Sequence, residues 1–170
     1  MEEQESYIQD TADFLRRLEG VQKLEDDEFM FTMDVVALYP SVPRDKTREA
    51  MRENLERRRV KKIPTEDLIE LGDMVLRSNE FIFEGERYLQ KEGTAIGSKM
   101  GKNYACTYMG KWEKEVQEKA LKELGKRPKL WFRFVDDIWG IWKGNEEELK
   151  GFVELANQHE ERIKVTYEVC

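Results

Sequence analysis

Leu130-Trp131-Phe132-Arg133-Phe134-Val135-Asp136-Asp137-Ile138-Trp139-Gly140-Ile141-Trp142 sets two short β-prone runs on either side of an acidic pair. Aromatic and β-branched residues dominate both runs, which suits strands. The acids then fall where a tight turn must be. Two readings of that turn stand open. Aspartate tolerates turn geometry, so an ordinary hairpin turn accounts for the pair. Asn-Gly or Asp-Gly is nevertheless the preferred turn chemistry, and two adjacent carboxylates hemmed by Trp131, Phe132, Phe134, Trp139 and Trp142 repel each other in a poorly solvated place. A divalent cation relieves such repulsion, and carboxylate oxygens with retained waters are what Mg²⁺ prefers.

Working outward, the next acid of this kind is Asp34, inside Phe31-Thr32-Met33-Asp34-Val35-Val36-Ala37-Leu38. The run suits a central strand covered by helices. An ionised carboxylate buried there is costly unless a cation offsets it. A strand-end aspartate bonded to backbone N–H groups is the alternative. With its strand beside the hairpin, three carboxylates converge. Such a cluster can hold two Mg²⁺ ions, which activate an attacking hydroxyl and stabilise a leaving phosphate oxygen.

The remaining elements frame these two. The chain has 170 residues, 38% charged and 39% hydrophobic, with a net charge of −7, which is one domain's worth with enough apolar residues for a core. Residues 5–19 read as an amphipathic helix on Ile8, Ala12 and Leu15, with Phe14 and Leu18 beside them. Phe29 to Tyr39 reads as a strand stopping at Pro40, and 44–59 as a helix with Ala50, Met51 and Leu55 inward. Pro64 opens another helix with the stripe Leu68, Leu71, Val75, flanked by Ile69 and Leu76. Residues 80–90 read as a hairpin, Phe81-Ile82-Phe83 and Arg87-Tyr88-Leu89 around Glu84-Gly85-Glu86, and the loop Gly93–Gly101 leads into a helix marked by Ala105, Met109, Trp112, Val116 and Ala120. Asn145 and Glu148 make a capping box for a helix burying Leu149, Phe152, Val153 and Ala156, and Ile163–Val169 is a last strand. The order lacks a regular βαβ rhythm, so the expected class is α+β, a largely antiparallel sheet with helices packed on one face.

Several functional classes are set aside at this point. No apolar run is long enough to span a bilayer, and Met1 to Glu5 are acidic where a secretory leader is basic and then apolar. Cys106 and Cys170 give neither a disulfide framework nor a zinc spacing. An intracellular protein, nuclear or cytoplasmic, is expected. Taken alone, −7 argues against a polyanionic partner. Much of the negative charge, however, sits at the N-terminus and in Glu25 to Glu28 and Glu146 to Glu148, while Lys91, Lys99, Lys102, Lys126, Arg127, Lys129 and Arg133 bracket the central motifs.

Those motifs carry a resemblance. Asp34 with Val35-Val36-Ala37-Leu38-Tyr39-Pro40-Ser41-Val42 resembles motif A of reverse transcriptases; Gly93-Thr94-Ala95-Ile96-Gly97-Ser98-Lys99-Met100 resembles motif B; and Phe134-Val135-Asp136-Asp137 resembles motif C. Tyr7 to Asp10, Tyr104 to Glu113 and Ile163 to Glu168 add to it, and together they look most like the Penelope-like retroelement branch, a relative of telomerase. The similarity runs from about residue 6 to 168. It implies a polymerase palm at 29–170 with a catalytic hairpin at 130–143, preceded by an N-terminal helix and acidic link at 1–28 on the fingers side. It implies catalysis by Asp34, Asp136 and Asp137, with metal held by Asp34, Asp136 and the backbone carbonyl of Val35 as two Mg²⁺ ions, Mn²⁺ substituting. Tyr39 falls at the position of an aromatic steric gate that excludes a 2′-hydroxyl; a core aromatic before Pro40 is its ordinary reading.

By the same resemblance, Gly93 and Gly97 let backbone approach the nascent base pair, and Ser98, Lys99 and Lys102 contact template or phosphate, against the usual fate of solvent-facing groups. Lys164 matches a lysine that protonates departing pyrophosphate, against an ordinary edge-strand lysine. The partners implied are an RNA template, a DNA primer and dNTPs, with no membrane. The pattern also departs from the family: Ile96 replaces the usual Met, and Gly101-Lys102 stand where a small residue and proline are common. Fingers and thumb would come from a parent chain, and a palm alone is expected to be feeble, since phosphoryl transfer relies on positioning. An inactive retroelement-derived module that binds nucleic acid or protein is the alternative. A nucleotide cyclase is disfavoured, because Phe134-Val135 stand where its hairpin carries Gly-Gly.

Overall fold

The computed structural model describes residues 5–170; residues 1–4 of the expected N-terminal segment lie outside the described residues. In chain order the elements are α1 (Thr11–Leu18), β1 (Glu28–Val35), α2 (Leu38–Ser41), α3 (Arg44–Glu56), α4 (Thr65–Arg77), β2 (Glu80–Phe83), β3 (Glu86–Leu89), α5 (Gly101–Glu123), β4 (Leu130–Phe134), β5 (Asp137–Lys143), α6 (Glu146–His159) and β6 (Val165–Val169). They gather into two compact units. Ala37–Lys111 form one; the described residues up to Val36 join Trp112–Cys170 in the other.

The second unit is built on a four-stranded sheet of order β4-β5-β1-β6, antiparallel at every pairing. The class is α+β, as expected. Strand periodicity explains its two faces. Phe31, Met33 and Val35 of β1 point into the core. Phe31 and Trp131 meet with ring centroids 6.2 Å apart, and Phe152 of α6 packs edge-on against Trp131 at 5.9 Å. Trp112, Val116 and Ala120 of α5 and Leu149, Phe152 and Ala156 of α6 are fully buried, as their spacing predicts. Asn145 and Glu148 form the reciprocal capping box that starts α6.

Thr32, Asp34, Trp139 and Phe132 alternate onto the opposite face. There α1 adds a helix of its own: Phe14 packs edge-on against Phe132 at 6.2 Å and against Trp139 at 5.5 Å. The helix is shorter than expected because Asp10 caps it, accepting from Asp13 N–H, while Tyr7 forms a bridge to Arg133. Its inward side is also different. Leu15 is 57% exposed, whereas Phe14 and Leu18 are half-buried and Asp13 is buried with Arg17 as its ion-pair partner.

In the Ala37–Lys111 unit, β1's expected continuation to Tyr39 is cut short. Ala37 takes a left-handed conformation (φ 46°), and the chain turns into the short α2. Helices α3 and α4 pack together, with Ala50, Ile69, Gly72 and Leu76 buried. The α4 stripe is displaced from the expected one: Leu71 and Val75 are 54% and 43% exposed. That helix is apolar on two sides, and the side carrying Gly72 allows close approach, with Met51 Cε 3.3 Å from where a Cβ would stand. The β2–β3 hairpin turns at Glu84-Gly85, both with positive φ, and its strands are exposed throughout.

Candidate active site

The register of the sheet decides which acids meet. Asp34, the penultimate residue of β1, is the direct cross-strand partner of Asp137, the first residue of β5. Val35 N–H donates to the Asp136 carbonyl at 3.2 Å, which joins the turn to the end of β1. The hairpin needs only Val135 and Asp136 to reverse, and Val135 holds φ at +59° to do so. Three acids separated by a hundred residues of chain thus share one end of one sheet.

Their surroundings differ from the sequence expectation in one respect. Asp34 and Asp137 are exposed and Asp136 is half-buried, so Asp34 is not an ion sunk in a covered strand. Strand alternation puts it on the face that α6 does not cover. Partial desolvation of its carboxyl, followed by the charges of Asp136 and Asp34, raises Asp137 above its ordinary value. A cavity of about 570 Å³ opens on this face. Thr32, Asp34, Asp137, Phe134, Thr166 and Glu168 line it, with Phe132, Trp139 and Phe14 as its aromatic wall; Asp136 is not among the lining residues. Thr166 and Glu168 enter because β6 pairs with β1, Thr166 directly opposite Asp34. Apart from the resemblance of Ile163 to Glu168, the period-two pattern of Thr166 and Glu168 is the sequence signal for them.

The donor set is all oxygen, which fits a hard cation. Among the described residues, no three carboxylate, imidazole or thiolate side chains close on a common point as a metal cage does. Mg²⁺ rarely uses such a cage; it keeps several waters and is held by one or two carboxylates together with substrate phosphates. Desolvation first, and then the charges of Asp136 and Asp34, raise Asp137, and such an ion would relieve the second, so the three acids fit it.

Lys164, in the same unit, has its Nζ on the backbone carbonyl of Asn157 at 2.6 Å. The cations expected to surround motif C are also engaged. Lys129 pairs with Glu28 and Glu25, Lys126 with Glu148, and Arg133 with Glu113. Glu28, buried beside Lys129, is held below the usual carboxylate range by that hydrogen bond.

The other candidate residues fall in the Ala37–Lys111 unit. Tyr39 lies in α2, half-buried, and its carbonyl accepts from Thr94 N–H at 2.8 Å. Gly93 (φ +63°) is buried against this segment, and a Cβ there would stand 2.3 Å from the Tyr39 carbonyl oxygen. The glycine therefore has a packing reason within the unit. Gly97 is exposed with open space where a Cβ would go. Ser98 accepts from Met100 N–H at 3.3 Å at the entry to α5, and Lys99 and Lys102 are exposed. What sequence reasoning missed entirely is Glu113, the buried partner of Arg133, because neither residue's pairing is visible in local spacing.

No family profile matches the chain, and no curated protein matches it in sequence. Solved structures do match. Apo telomerase from Candida tropicalis is similar over 98% of this chain and 33% of its own, with a TM-score of 0.72 and 13% identity. Telomerase from Candida albicans in complex with the TWJ fragment of telomeric RNA is similar over 98% of this chain and 31% of its own, with a TM-score of 0.74 and 10% identity. A C-terminally truncated Candida tropicalis telomerase shares 17% identity over 97% of this chain, with a TM-score of 0.65. The likeness is one of fold, and the chain spans about a third of the length of these structures. Among the described residues no helix is long and apolar enough to cross a membrane.

Proposed function

We propose that this chain is the palm portion of an RNA-directed DNA polymerase, which adds dNTPs to a primer 3′-hydroxyl on an RNA template. The observation that carries the reading is the pairing of Asp34 with Asp137 across β1 and β5, with Asp136 in the intervening turn. Acids with the order and spacing of motifs A and C come together on the face of an antiparallel sheet that α6 does not cover. The fold likeness to telomerase and the presence of motif B between them support the same reading. The motifs favour a Penelope-like retroelement protein as the source.

In this reading Asp34 and Asp136, with the Val35 carbonyl, hold two Mg²⁺ ions and Asp137 completes the acidic set. The ions would supply charge neutralisation and Lewis acidity at the attacking and leaving oxygens. The chain's own part is to fix the carboxylates at one end of two paired strands and to offer a wall of Phe14, Phe132 and Trp139 beside them. Tyr39 would be the sugar gate, Gly97 would lie against the nascent base pair, and Ser98, Lys99 and Lys102 would contact template or phosphate.

Primer extension on an RNA template with Mg²⁺ or Mn²⁺, run beside Asp136→Asn, tests the reading. Extension that Asp136→Asn abolishes supports it; no extension, or extension unchanged by the substitution, defeats it for this chain. Tyr39→Ala is expected to raise ribonucleotide incorporation, and unchanged sugar selectivity removes the gate assignment. One observation favours a second reading, a protein-binding module without catalysis: Lys126, Lys129 and Arg133 are taken up by Glu148, Glu28 and Glu113, so they offer little grip on a polyanion. Neither extension nor binding of an RNA–DNA duplex, in the wild type as in Asp136→Asn, would favour that module.

A further inference from the structure

Arg133, the penultimate residue of β4, is wholly buried at 0% exposure. A guanidinium there is costly unless its donors are matched. Its Nε donates to Glu113 Oε2 at 2.9 Å, and Glu113 also accepts from Trp131 Nε1 at 3.0 Å and from Ser6 Oγ. The Arg133 ring-stacking partner is Tyr7, 5.6 Å from the guanidinium carbon to the ring centroid. Its Nη1 reaches out of this cluster and donates to the backbone carbonyl of Val135 at 3.1 Å.

Val135 is the residue before Asp136, and its φ of +59° is a conformation that β-branched residues rarely adopt. It is also buried at 8% exposure, so the residue under backbone strain contributes its side chain to packing. A strained turn persists only where its surroundings over-determine it. Arg133 holds the Val135 carbonyl by a side-chain hydrogen bond.

We propose that Arg133 is a positioning residue: anchored on Glu113 of α5, its guanidinium holds the Val135 carbonyl and so fixes the left-handed turn that presents Asp136 and Asp137. This rests on reading those aspartates as metal-binding groups, and it adds a device that the motif itself does not contain. An arginine is required because its planar fork reaches two acceptors in fixed directions. A lysine presents one compact charge and must choose between Glu113 and the turn. Glu113 is required because an unpaired guanidinium would not stay buried.

The test measures Mn²⁺ binding by electron paramagnetic resonance and the Val135 backbone angle by NMR couplings, with thermal unfolding recorded alongside. Arg133→Lys is expected to weaken Mn²⁺ binding about tenfold and to release Val135 from its left-handed conformation. Val153→Ala in α6 serves as a control that lowers stability without touching the turn, and is expected to bind Mn²⁺ as the wild type does. Val135→Gly, which accepts positive φ freely, is expected to restore binding in the Arg133→Lys background. A merely structural arginine would show no such rescue.

Wild-type Mn²⁺ affinity together with an unchanged Val135 angle in Arg133→Lys overturns the proposal and leaves the metal reading intact. Equal Mn²⁺ binding by the wild type and Asp136→Asn defeats the metal reading instead. The Val135 angle then decides alone: retained in Arg133→Lys it overturns the positioning role, and lost it supports it. Should Arg133→Lys not fold, Arg133→Met combined with Glu113→Gln removes both charges together, and the same readouts apply to it with the same consequences.

Discussion

Asp34 and Asp137 are direct partners across the β1–β5 ladder, and the chain between them passes through a second compact unit before returning. The pairing turns two unremarked strand ends into one acidic edge. Because side chains alternate along a strand, it also fixes which other residues face the same space: Thr32 and Trp139 one step along, Thr166 on β6 beside Asp34. The site is thus a consequence of register, and a one-residue slip of β1 would send Asp34 into the core and Val35 to solvent.

That acidic edge has a pH signature. Asp137 titrates above its ordinary value of 3.8 because of burial and its acidic neighbours. A carboxyl whose pKa is raised by folding favours the folded state below its unfolded value, and the advantage is lost as pH rises through the folded value. At pH 7 the ionised group therefore opposes folding. Asp137→Asn is expected to raise the melting temperature at neutral pH, with the gain vanishing on acidification below about 3.8. A gain that is constant with pH would count against the repulsion between these acids.

A cation should act on the same group in the same direction. If Asp34, Asp136 and Asp137 hold Mg²⁺ only when folded, free Mg²⁺ at tenfold its dissociation constant stabilises the chain by about 1.4 kcal/mol. Asp34→Asn is expected to lose most of this increment. Differential scanning calorimetry across a Mg²⁺ series checks it, and equal shifts in both proteins would show that the ion binds elsewhere.

The parts of this fold that were legible in sequence are those where one signal acted alone. The α5 stripe Ala105, Met109, Trp112, Val116 and Ala120 is wholly buried because that helix has one apolar side. In α4 apolar residues occupy two sides, so periodicity could not choose, and the buried side is the one where Gly72 lets Met51 approach. β1 ends at Val35 and not at Tyr39, because Ala37 is left-handed and nothing in an alanine announces that. At the site, the acids stood out as charges among apolar residues. Thr166 and Glu168 did not, since only strand pairing brings them in, and Glu113 reads as one more helix glutamate until Arg133 is seen against it.

Gly140 shows how tightly the core face of this sheet is built. A Cβ there would stand 2.6 Å from Phe31 Cζ and 2.6 Å from the Leu130 carbonyl oxygen. Neither a ring packed against Trp131 nor a strand carbonyl can yield at small cost. Gly140→Ala is expected to destabilise the chain by about 1–3 kcal/mol, measured by urea unfolding. A loss within a few tenths of a kcal/mol would mean that Phe31 has another place to go.

The two motif B glycines separate packing from recognition. Gly93 combines φ of +63° with backbone contact: a Cβ would meet the Tyr39 oxygen at 2.3 Å and Pro40 Cα at 2.6 Å. Gly93→Ala should therefore cost about 2–4 kcal/mol and open the Thr94 to Tyr39 hydrogen bond, seen as lost exchange protection at the Thr94 amide. Gly85, at φ +84° with nothing within 4 Å, isolates the backbone part of that cost, so Gly85→Ala is expected to lose only about 1 kcal/mol. Gly97 has neither positive φ nor a neighbour within 4 Å, and Gly97→Ala should leave stability within about 0.5 kcal/mol. If Gly97 faces the nascent base pair, that same substitution lowers primer extension in a chain as stable as the wild type. Undiminished extension would return Gly97 to the ordinary surface and leave Gly93 as a glycine of the fold.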